Sequence, residues 1–240
     1  MIAFLSVLAK RLANGLGLEI LKTSKVPLHN LLGLSSANIR TIIDVGANTG
    51  QFARWASARF PLANIYCFEP VPQSFQQLAR WAGRQKPGRV SVFNFALGDE
   101  EGESEMFFHE DHSSSSSLLK STEECHRLYP FTRHQKRVSI RITTLDKSVE
   151  TLSLPLEKDV LLKLDVQGYE QRVLQGGSAT LGKTEACILE IALEPLYESQ
   201  PKMIDLMATL SDHGLSYKGN LDQSFGPDGK VVSIDALFQR

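Results

Sequence analysis

The sequence has few cysteines, and their pattern would not build a disulfide framework. There are three, an odd number, in 240 residues. Two of them, Cys67 and Cys187, lie in apolar runs that are typical of strands. A thiol in such a run is usually a small buried apolar group. With Cys125 as the third, the count excludes a disulfide-stapled secreted domain and predicts a reducing compartment, which we take to be the cytoplasm.

The sequence also lacks a strong charge of either sign. The formal net charge is −1, whereas domains that bind nucleic acids usually carry a clear basic excess. We therefore expect no nucleic-acid partner. A chain of 240 residues, of which 42% are hydrophobic and 22% charged, is instead typical of one α/β domain with a sizeable core.

A long apolar run is missing as well. Residues 1–9 are apolar, but Lys10 and Arg11 follow this run, whereas a signal peptide carries its positive charges first. The run is also far shorter than the roughly 20 residues that cross a bilayer. We interpret residues 1–40 as a helical extension whose apolar face is formed by Leu5, Leu8, Leu12 and Leu16. This face would pack on the main domain or on a second copy in a homodimer, with attachment to a membrane surface as the alternative.

One stretch has the layout of a nucleotide-binding loop but not its three glycines. An apolar strand pattern over residues 41–45 is followed by Gly46, Asn48 and Gly50, and then by a helical pattern. A strand, a tight turn and a helix N-terminus are typical of a ligand-binding unit in an open parallel sheet. The two glycines would let the backbone approach a ligand closely, and Asn48 tolerates a left-handed conformation.

Asp44, just before the turn, distinguishes between possible ligands. Its carboxylate would repel the pyrophosphate of a dinucleotide. It suits the ammonium group of S-adenosylmethionine, which brings no phosphate to this loop. The pattern therefore favours S-adenosylmethionine as the cofactor. A nucleotide and a plain strand-to-helix turn are the alternatives.

Two further acidic residues follow predicted strands. Glu69 lies at the end of a strand over residues 64–70, 25 positions after Asp44, where an acidic side chain usually accepts hydrogen bonds from ribose hydroxyls. Asp99 lies in a turn after a third strand over residues 90–97, and it is a candidate partner for the adenine amine. The alternatives are a surface carboxylate for Glu69 and a turn-forming aspartate for Asp99.

Residues 103–143 have the pattern of an insertion. Alternating residues predict strands over 103–109 and 138–143, with a run of five serines, residues 113–117, between them. A serine run is usually a solvated flexible loop, although beside a cofactor site it can also close as a lid. We expect the segment over residues 113–137 to be mobile without substrate, and the insertion to determine the choice of substrate.

The fourth strand, over residues 159–166, is almost entirely apolar, which indicates that both of its faces are covered. Lys163 and Asp165 interrupt the run on one face. We expect Lys163 to be buried, charged and paired with a carboxylate on a neighbouring strand. Asp44 and Glu190 are the candidates, and Asp165 is also within reach.

Asp165 is the first candidate for a catalytic base, because it ends a strand at the edge of the sheet where ligands bind. It could equally orient the acceptor or hold the methionine ammonium. His112 is the second candidate, and His109 and His134 are further histidines in or near the insertion. We assign no metal site. The alternative is a magnesium ion, with oxygen ligands from Asp165, Glu170 and Glu190.

Six short motifs occur in order between residues 41 and 195. They are DVGANTG (44–50), FEP (68–70), ALGD (96–99), TLD (144–146), KLDVQGYE (163–170) and VLQGG (173–177). In these motifs the chain resembles the FkbM family of S-adenosylmethionine-dependent methyltransferases. The first 40 and the last 45 residues add nothing to this resemblance.

The resemblance implies a class I methyltransferase fold, which is Rossmann-like. The expected sheet has seven mostly parallel strands in the order 3-2-1-4-5-7-6, with helices on both faces and a β insertion after strand 3. It would occupy residues 41–240, after the extension over residues 1–40. The resemblance also implies methyl transfer to a hydroxyl oxygen of a sugar, glycolipid or secondary metabolite, so that the partner is a small-molecule or glycan acceptor.

Two other classes of protein remain as alternatives. The first is an NAD(P)-dependent oxidoreductase, against which Asp44 and the missing third glycine count. The second is a non-catalytic protein of the same fold that binds a cofactor or a sugar.

Overall fold

The computed structural model describes Ala13, residues 31–110 and residues 112–240. The leucine face predicted in the N-terminal extension lies outside the described residues. Within the described part of the chain, every helix is too short or too polar to cross a membrane. All three cysteines are free and buried, which confirms the prediction for Cys67 and Cys187.

A seven-stranded sheet forms the centre of the described domain. Its strands are β1 (Thr41–Val45), β2 (Asn64–Phe68), β3 (Val90–Phe93), β7 (Val160–Leu164), β8 (Thr184–Ala192), β9 (Ser216–Phe225) and β10 (Val231–Gln239). Their spatial order is β3-β2-β1-β7-β8-β10-β9. Strands β3, β2, β1, β7 and β8 run parallel to one another, whereas β10 is antiparallel to both β8 and β9.

Three more strands form a separate small sheet. They are β4 (Ala96–Gly98), β5 (Gly102–Phe108) and β6 (Lys136–Thr144), in the order β4-β6-β5. The strands of the small sheet are numbers 4 to 6 along the chain. For this reason the strand numbers of the large sheet differ from the predicted order 3-2-1-4-5-7-6. When the seven strands of the large sheet are counted by themselves, their order along the sheet is 3-2-1-4-5-7-6.

The predicted third strand is wrong in its extent. Residues 90–97 divide at Asn94, so that β3 pairs with β2 while β4 pairs with β6 in the small sheet. Nδ2 of Asn94 donates hydrogen bonds to the backbone carbonyls of Glu69 (2.9 Å) and Pro70 (3.0 Å). These bonds hold the bend against the end of β2. Apolar residues continue on both sides of Asn94, so the sequence pattern does not show the break.

Helices cover both faces of the large sheet. The α-helices are α1 (Gln51–Arg59), α2 (Pro72–Ala82), α3 (Glu123–Leu128), α4 (Leu145–Thr151), α5 (Glu170–Gln175), α6 (Ser178–Leu181) and α7 (Met203–Asp212), and 3-10 turns lie at Leu31–Ser36, Ser113–Ser115 and Pro130–Arg133. On one face, Ile42 of β1 shares a core with Ala53 of α1 and Leu78 of α2. On the other face, the next residue, Ile43, shares a core with residues of α5 and α7.

This packing positions the site. All residues of β1 and β7 are buried, which for β7 confirms the prediction that both of its faces are covered. The carboxyl ends of β1, β2, β7 and β8 lie side by side in one parallel array. The acidic residues at or near these ends, Asp44, Glu69, Asp165 and Glu190, therefore meet at one edge of the sheet.

Candidate active site

The turn after β1 is in close contact with the ends of the two neighbouring strands, β2 and β7. The backbone amides of Gly46 and Ala47 both donate to the carbonyl oxygen of Phe68 at the end of β2, at 3.0 and 3.1 Å. Gly46 has a φ of +78°, and a Cβ added there would lie 1.9 Å from the backbone oxygen of Asp165. Asn48 has a φ of +46°, which confirms that it adopts a left-handed conformation. The close approach at Gly46 is therefore first of all an approach to the chain after β7.

Gly50 packs against α2, and its predicted approach to a ligand stays a prediction. It has a φ of +92°, and an added Cβ would lie 2.8 Å from Cδ1 of Leu78 in α2. It precedes α1 as the N-terminal cap and does not line the cavity described below. Gly50 thus lets α1 and α2 pack closely, which a pattern of glycines alone does not distinguish from ligand binding.

Glu69 joins the loops that follow β1 and β2. Its Oε2 accepts a hydrogen bond from the backbone amide of Asn48 and its Oε1 accepts one from that of Val71, each at 2.8 Å. Burial raises the pKa of Glu69 to about 7, and the two amide hydrogen bonds offset part of this rise. The carboxyl group is therefore held in one orientation before any ligand arrives.

A cavity of about 290 Å³ lies over these loops. Its lining includes the predicted residues Asp44, Gly46, Asn48, Glu69 and Asp165. Asp44 is fully buried, and neither of its carboxylate oxygens has a hydrogen-bond partner among the described residues. Burial raises the pKa of Asp44 to about 7, although the Lys163 ammonium lowers it.

Lys163 is buried and charged, as predicted, but its ion-pair partner is on its own strand end. Its Nζ donates to Oδ2 of Asp165 at 2.9 Å. Asp44 faces it in register on β1 and acts on it through charge. Burial alone would lower the pKa of Lys163, but Asp165 and Asp44 outweigh this effect and raise it. The predicted pairing across strands is wrong: the paired carboxylate is that of Asp165, which lies two residues further along the same face.

A hydrogen-bond network centred on Gln167 fixes Asp165. Nε2 of Gln167 donates to Oδ1 of Asp165 at 2.8 Å and also to Oε2 of Glu190. Oε1 of Gln167 accepts from the Tyr197 hydroxyl at 2.7 Å. Burial would raise the pKa of Asp165, but Lys163 and these hydrogen bonds hold it below its usual range. Burial and the adjacent Asp165 raise the pKa of Glu190 well above its usual range.

A second cavity, of about 260 Å³, adjoins the first. Its lining includes His112, Tyr129, Phe131, Glu190 and Tyr197. The residues common to the two linings are Ser114, Asp165 and Gln167. The side chains that bound the junction are therefore a hydroxyl, a carboxylate and an amide.

The serine run forms part of the wall of both cavities. The Ser113 hydroxyl donates to Oδ1 of Asn48 at 3.0 Å, and the Ser117 hydroxyl donates to the backbone oxygen of Gln167 at 2.6 Å. The Tyr197 hydroxyl donates to the Ser115 carbonyl oxygen at 3.1 Å. In this structure residues 113–117 form a hydrogen-bonded segment, the serine strap, at the junction of the two cavities. Its mobility stays a prediction.

The three histidines considered as candidates for the base, His109, His112 and His134, occupy different environments. His112 lines the second cavity, where its Nδ1 lies within 3.0 Å of the Ser114 and Ser115 hydroxyls. His109 is buried, its Nδ1 lies 3.3 Å from the His134 carbonyl oxygen, and burial lowers its pKa. Neither His109 nor His134 lines either cavity.

Asp99 lies apart from both cavities. Its Oδ2 accepts a hydrogen bond from Nη1 of Arg172 at 2.6 Å, and it lines neither cavity. The arrangement gives no support to the predicted contact with adenine, which stays a prediction.

The carboxylate of Glu170 accepts hydrogen bonds from backbone amides. Its Oε1 accepts from the amides of Val166 and Gly168, at 3.1 and 3.2 Å, and burial raises its pKa to about 7. It therefore fastens the loop after β7 to the start of α5. Over the described ranges, no group of three or more histidine, cysteine or acidic side chains is arranged to hold a metal ion.

Sequence reasoning missed three residues of the site. Gln167 lies within the KLDVQGYE motif and has a φ of +56°, but a neutral amide gives no chemical signal in a sequence. Tyr197 and Asp235 come from a loop after β8 and from β10. Asp235 pairs in register with Glu190 and lines the first cavity, a relationship that only the antiparallel strand creates.

A parallel α/β sheet with a carboxylate-rich cavity at its edge is typical of an enzyme that binds an organic cofactor. The family described as the FkbM methyltransferase domain matches residues 44–217. The chain belongs to this family and is a methyltransferase.

Several known proteins are similar to this chain. The 2-O-methyltransferase NoeI of Sinorhizobium fredii is 29% identical over 187 residues, which cover 74% of this chain and 74% of that protein. The hexuronic acid methyltransferase AglP of Haloferax volcanii is 28% identical over 148 residues, 62% of this chain and 54% of that protein, so the match spans about half of AglP. The crystal structure of Aeropyrum pernix fibrillarin with bound S-adenosyl-L-methionine aligns at 13% identity and a TM-score of 0.45, covering 84% of this chain and 66% of that one.

Proposed function

We propose that this protein transfers the methyl group of S-adenosylmethionine to a hydroxyl oxygen of a small molecule or glycan. The observation that carries the proposal is the buried carboxylate of Asp44, which lines the first cavity without a hydrogen-bond partner among the described residues. A buried charge is costly unless it is paired. The ammonium of the methionine moiety would supply the pair, whereas a pyrophosphate would be repelled.

Other parts of the same cavity suit the rest of the cofactor. Each carboxylate oxygen of Glu69 accepts one backbone hydrogen bond and keeps a second lone pair for a ribose hydroxyl. An apolar wall that suits a flat adenine ring is formed by Phe68, Phe95, Leu97, Met106 and Leu118.

When bound, S-adenosylmethionine supplies a methyl group that leaves its sulfur for the acceptor oxygen, while the hydroxyl proton passes to a protein base. We assign that base to Asp165, because it is the acidic residue that lines both cavities. Its lowered pKa keeps it ionised at neutral pH. Lys163 and Gln167 hold its two oxygens, so that it can orient the hydroxyl as well as receive the proton.

His112 is the second candidate for the base, because it also lines the second cavity. Replacing each residue separates the two assignments. We expect Asp165→Asn to lower kcat by 10²–10⁴-fold, which is roughly the contribution of a general base. We expect His112→Gln to act mainly on KM for the acceptor.

Support for an oxygen acceptor comes from the names of two relatives. NoeI is described as a 2-O-methyltransferase and AglP as a hexuronic acid methyltransferase. Both descriptions are consistent with a sugar-type hydroxyl as the acceptor here.

Calorimetric titration of the full chain with S-adenosylmethionine, NAD and NADP tests the cofactor. We expect S-adenosylmethionine alone to bind. Glu69→Ala should weaken its binding, since each lost charge-assisted hydrogen bond is worth about 1.5–3 kcal/mol. Glu101→Ala, at an exposed acid beside β5, is the matched control. Preferential binding of NAD, or an unchanged affinity in a folded Glu69→Ala protein, would contradict the assignment.

Turnover separates an enzyme from a binding protein of the same fold. Cells with and without the protein should differ in methylated products, and the purified protein should transfer labelled methyl groups to one of them. Cofactor binding with no transfer to any extract component would favour the non-catalytic alternative.

A further inference from the structure

The second cavity has an aromatic wall. The rings of His112 and Phe131 have their centroids 4.5 Å apart, and those of Tyr129 and Phe131 lie 5.9 Å apart. Phe131 keeps 37% of its surface exposed, although a phenylalanine ring is usually buried. An exposed ring supported by two others offers a flat face at the mouth of a pocket.

The rest of the lining is mostly polar and acidic. It contains the carboxyl groups of Asp165 and Glu190 together with hydroxyls from Tyr197, Ser224 and Ser233. Among the described residues that line this cavity there is no lysine or arginine. The nearby ammonium of Lys163 lines the first cavity and is already paired with Asp165.

We infer that the second cavity is the acceptor site, and that it takes a neutral pyranose-type ring rather than a uronic acid. The inference rests on the proposed function and specifies its substrate class. A sugar ring has an apolar C–H face for the Phe131 platform and hydroxyl groups for the carboxyl and hydroxyl groups of the lining. A carboxylate on that ring would be buried beside ionised Asp165 with no lysine or arginine of the lining to pair it, which is unfavourable.

The position of the junction supports this assignment. Asp165 bounds both cavities, so that one hydroxyl of a ring in the second cavity can reach the carboxylate that faces the cofactor site. A ring held at the same platform in a different orientation would present a different hydroxyl. The platform and the acidic groups of the lining are therefore expected to set which position is methylated.

Matched pairs of sugars test the charge preference. The probes are the methyl glycosides of glucose, galactose and mannose, each compared with its 6-carboxylate form. Binding to the full chain saturated with S-adenosylhomocysteine is measured by saturation-transfer NMR at millimolar concentrations. We expect at least one neutral glycoside to bind, and its 6-carboxylate form to bind at least tenfold more weakly.

Two exposed phenylalanines provide matched variants. Phe131→Ala should abolish sugar binding and leave the affinity for S-adenosylhomocysteine unchanged. Phe225→Ala, at a ring that is 61% exposed and outside both cavities, should change neither. Because both rings are exposed, both variants should fold, and unfolding curves check this directly.

The outcomes distinguish this inference from the proposed function. If the parent protein does not bind S-adenosylhomocysteine, the proposed function fails. If it binds that ligand, the inference is overturned by any of three results: no neutral glycoside binds, a 6-carboxylate form binds as well as its neutral counterpart, or Phe131→Ala behaves like Phe225→Ala.

Discussion

Gly46 follows β1 and Asp165 follows β7, and the Cα of the glycine faces the backbone carbonyl of the aspartate so closely that an added Cβ would lie 1.9 Å from its oxygen. The contact links the turn after β1 to the loop after β7. The first cavity is lined by Asp44, near the end of β1, and by Asp165 in that loop. The separation of the two carboxylates therefore depends on a residue that has no side chain.

Gly46→Ala should destabilise the protein strongly and weaken S-adenosylmethionine binding. A left-handed conformation costs a residue with a Cβ about 1–2 kcal/mol, and the backbone clash adds to this cost. We expect a total loss of roughly 3–5 kcal/mol. Gly88→Ala is the comparison, because Gly88 has a φ of +77° and open space around an added Cβ. Urea unfolding measures the loss in free energy of unfolding for each variant. Equal losses would show that the contact with Asp165 does not contribute to stability.

Lys163→Met tests the buried ion pair. It removes the charge but keeps much of the side-chain volume, and it leaves Asp165 and Asp44 without a cation. Breaking a buried pair from one side typically costs about 3–5 kcal/mol. We therefore expect a clearly lower unfolding midpoint and weaker cofactor binding.

Lys230→Met is the matched variant for this experiment. Lys230 pairs with Asp228, also two residues away, at 3.0 Å, but its side chain is 75% exposed. A surface pair contributes about 0–1 kcal/mol, so the midpoint should barely move. A Lys163→Met protein that melts and binds cofactor like the parent would show that the ammonium reaches solvent.

Cofactor affinity should rise with pH. Burial raises the pKa of Asp44 to about 7, which means that the free protein holds a proton there in mildly acidic solution. A ligand ammonium requires the ionised form, so this proton must leave on binding. Below pH 7 the affinity should fall by up to about tenfold per pH unit. Calorimetry in buffers of different ionisation enthalpy counts the released protons, and Asp44→Asn should release fewer. If the parent and the Asp44→Asn protein release the same number of protons on binding, the proton comes from another group.

The stability of the ligand-free protein should have the opposite pH dependence. Burial raises the pKa values of Asp44, Glu69 and Glu170 to about 7 and that of Asp235 to about 6. Between pH 4 and 7 the folded state therefore binds more protons than the unfolded state, so the free energy of unfolding falls as pH rises. We expect the melting temperature to be higher at pH 5.5 than at pH 8. A higher melting temperature at pH 8 would mean that these groups titrate normally.

The elements that sequence reasoning located best are those with a strong local signal. The apolar runs of β1 and β7 indicated strands, and the run of β7 indicated a strand covered on both faces. Asp44 and Glu69 followed from their places at strand ends. The small sheet was less predictable, because the side chain of Asn94 redirects the chain within an apolar run. A hydrogen bond of this kind leaves no periodic pattern in the sequence.

The junction between the cavities could not be predicted for a related reason. Gln167 connects Asp165 with Glu190 and Tyr197, which belong to β8 and the loop after it and reach Asp165 only in the folded sheet. Gly50 illustrates the opposite case: its local pattern was recognised, but its packing against Leu78 depends on where α2 lies.

The serine strap gives the last prediction, because its residues line both cavities. In this structure it is held by the hydrogen bonds of Ser113 to Asn48 and of Ser117 to Gln167. We expect these bonds to open without ligand, so that trypsin cuts first within residues 113–137, where Lys120, Arg127 and Arg133 are exposed.

The reference cut is at Arg84, an exposed residue in the turn after α2. S-adenosylhomocysteine in the first cavity would pack beneath Ser113 and Ser114 and should slow cleavage of the strap region several-fold, while cleavage at Arg84 stays unchanged. Ser113→Ala removes the hydrogen bond to Asn48 and should speed cleavage of the ligand-free protein. Mass spectrometry of early fragments identifies each cut. If Arg84 is cut first and the strap region resists trypsin with or without ligand, the strap is a fixed wall of the site and ligands must enter by another route.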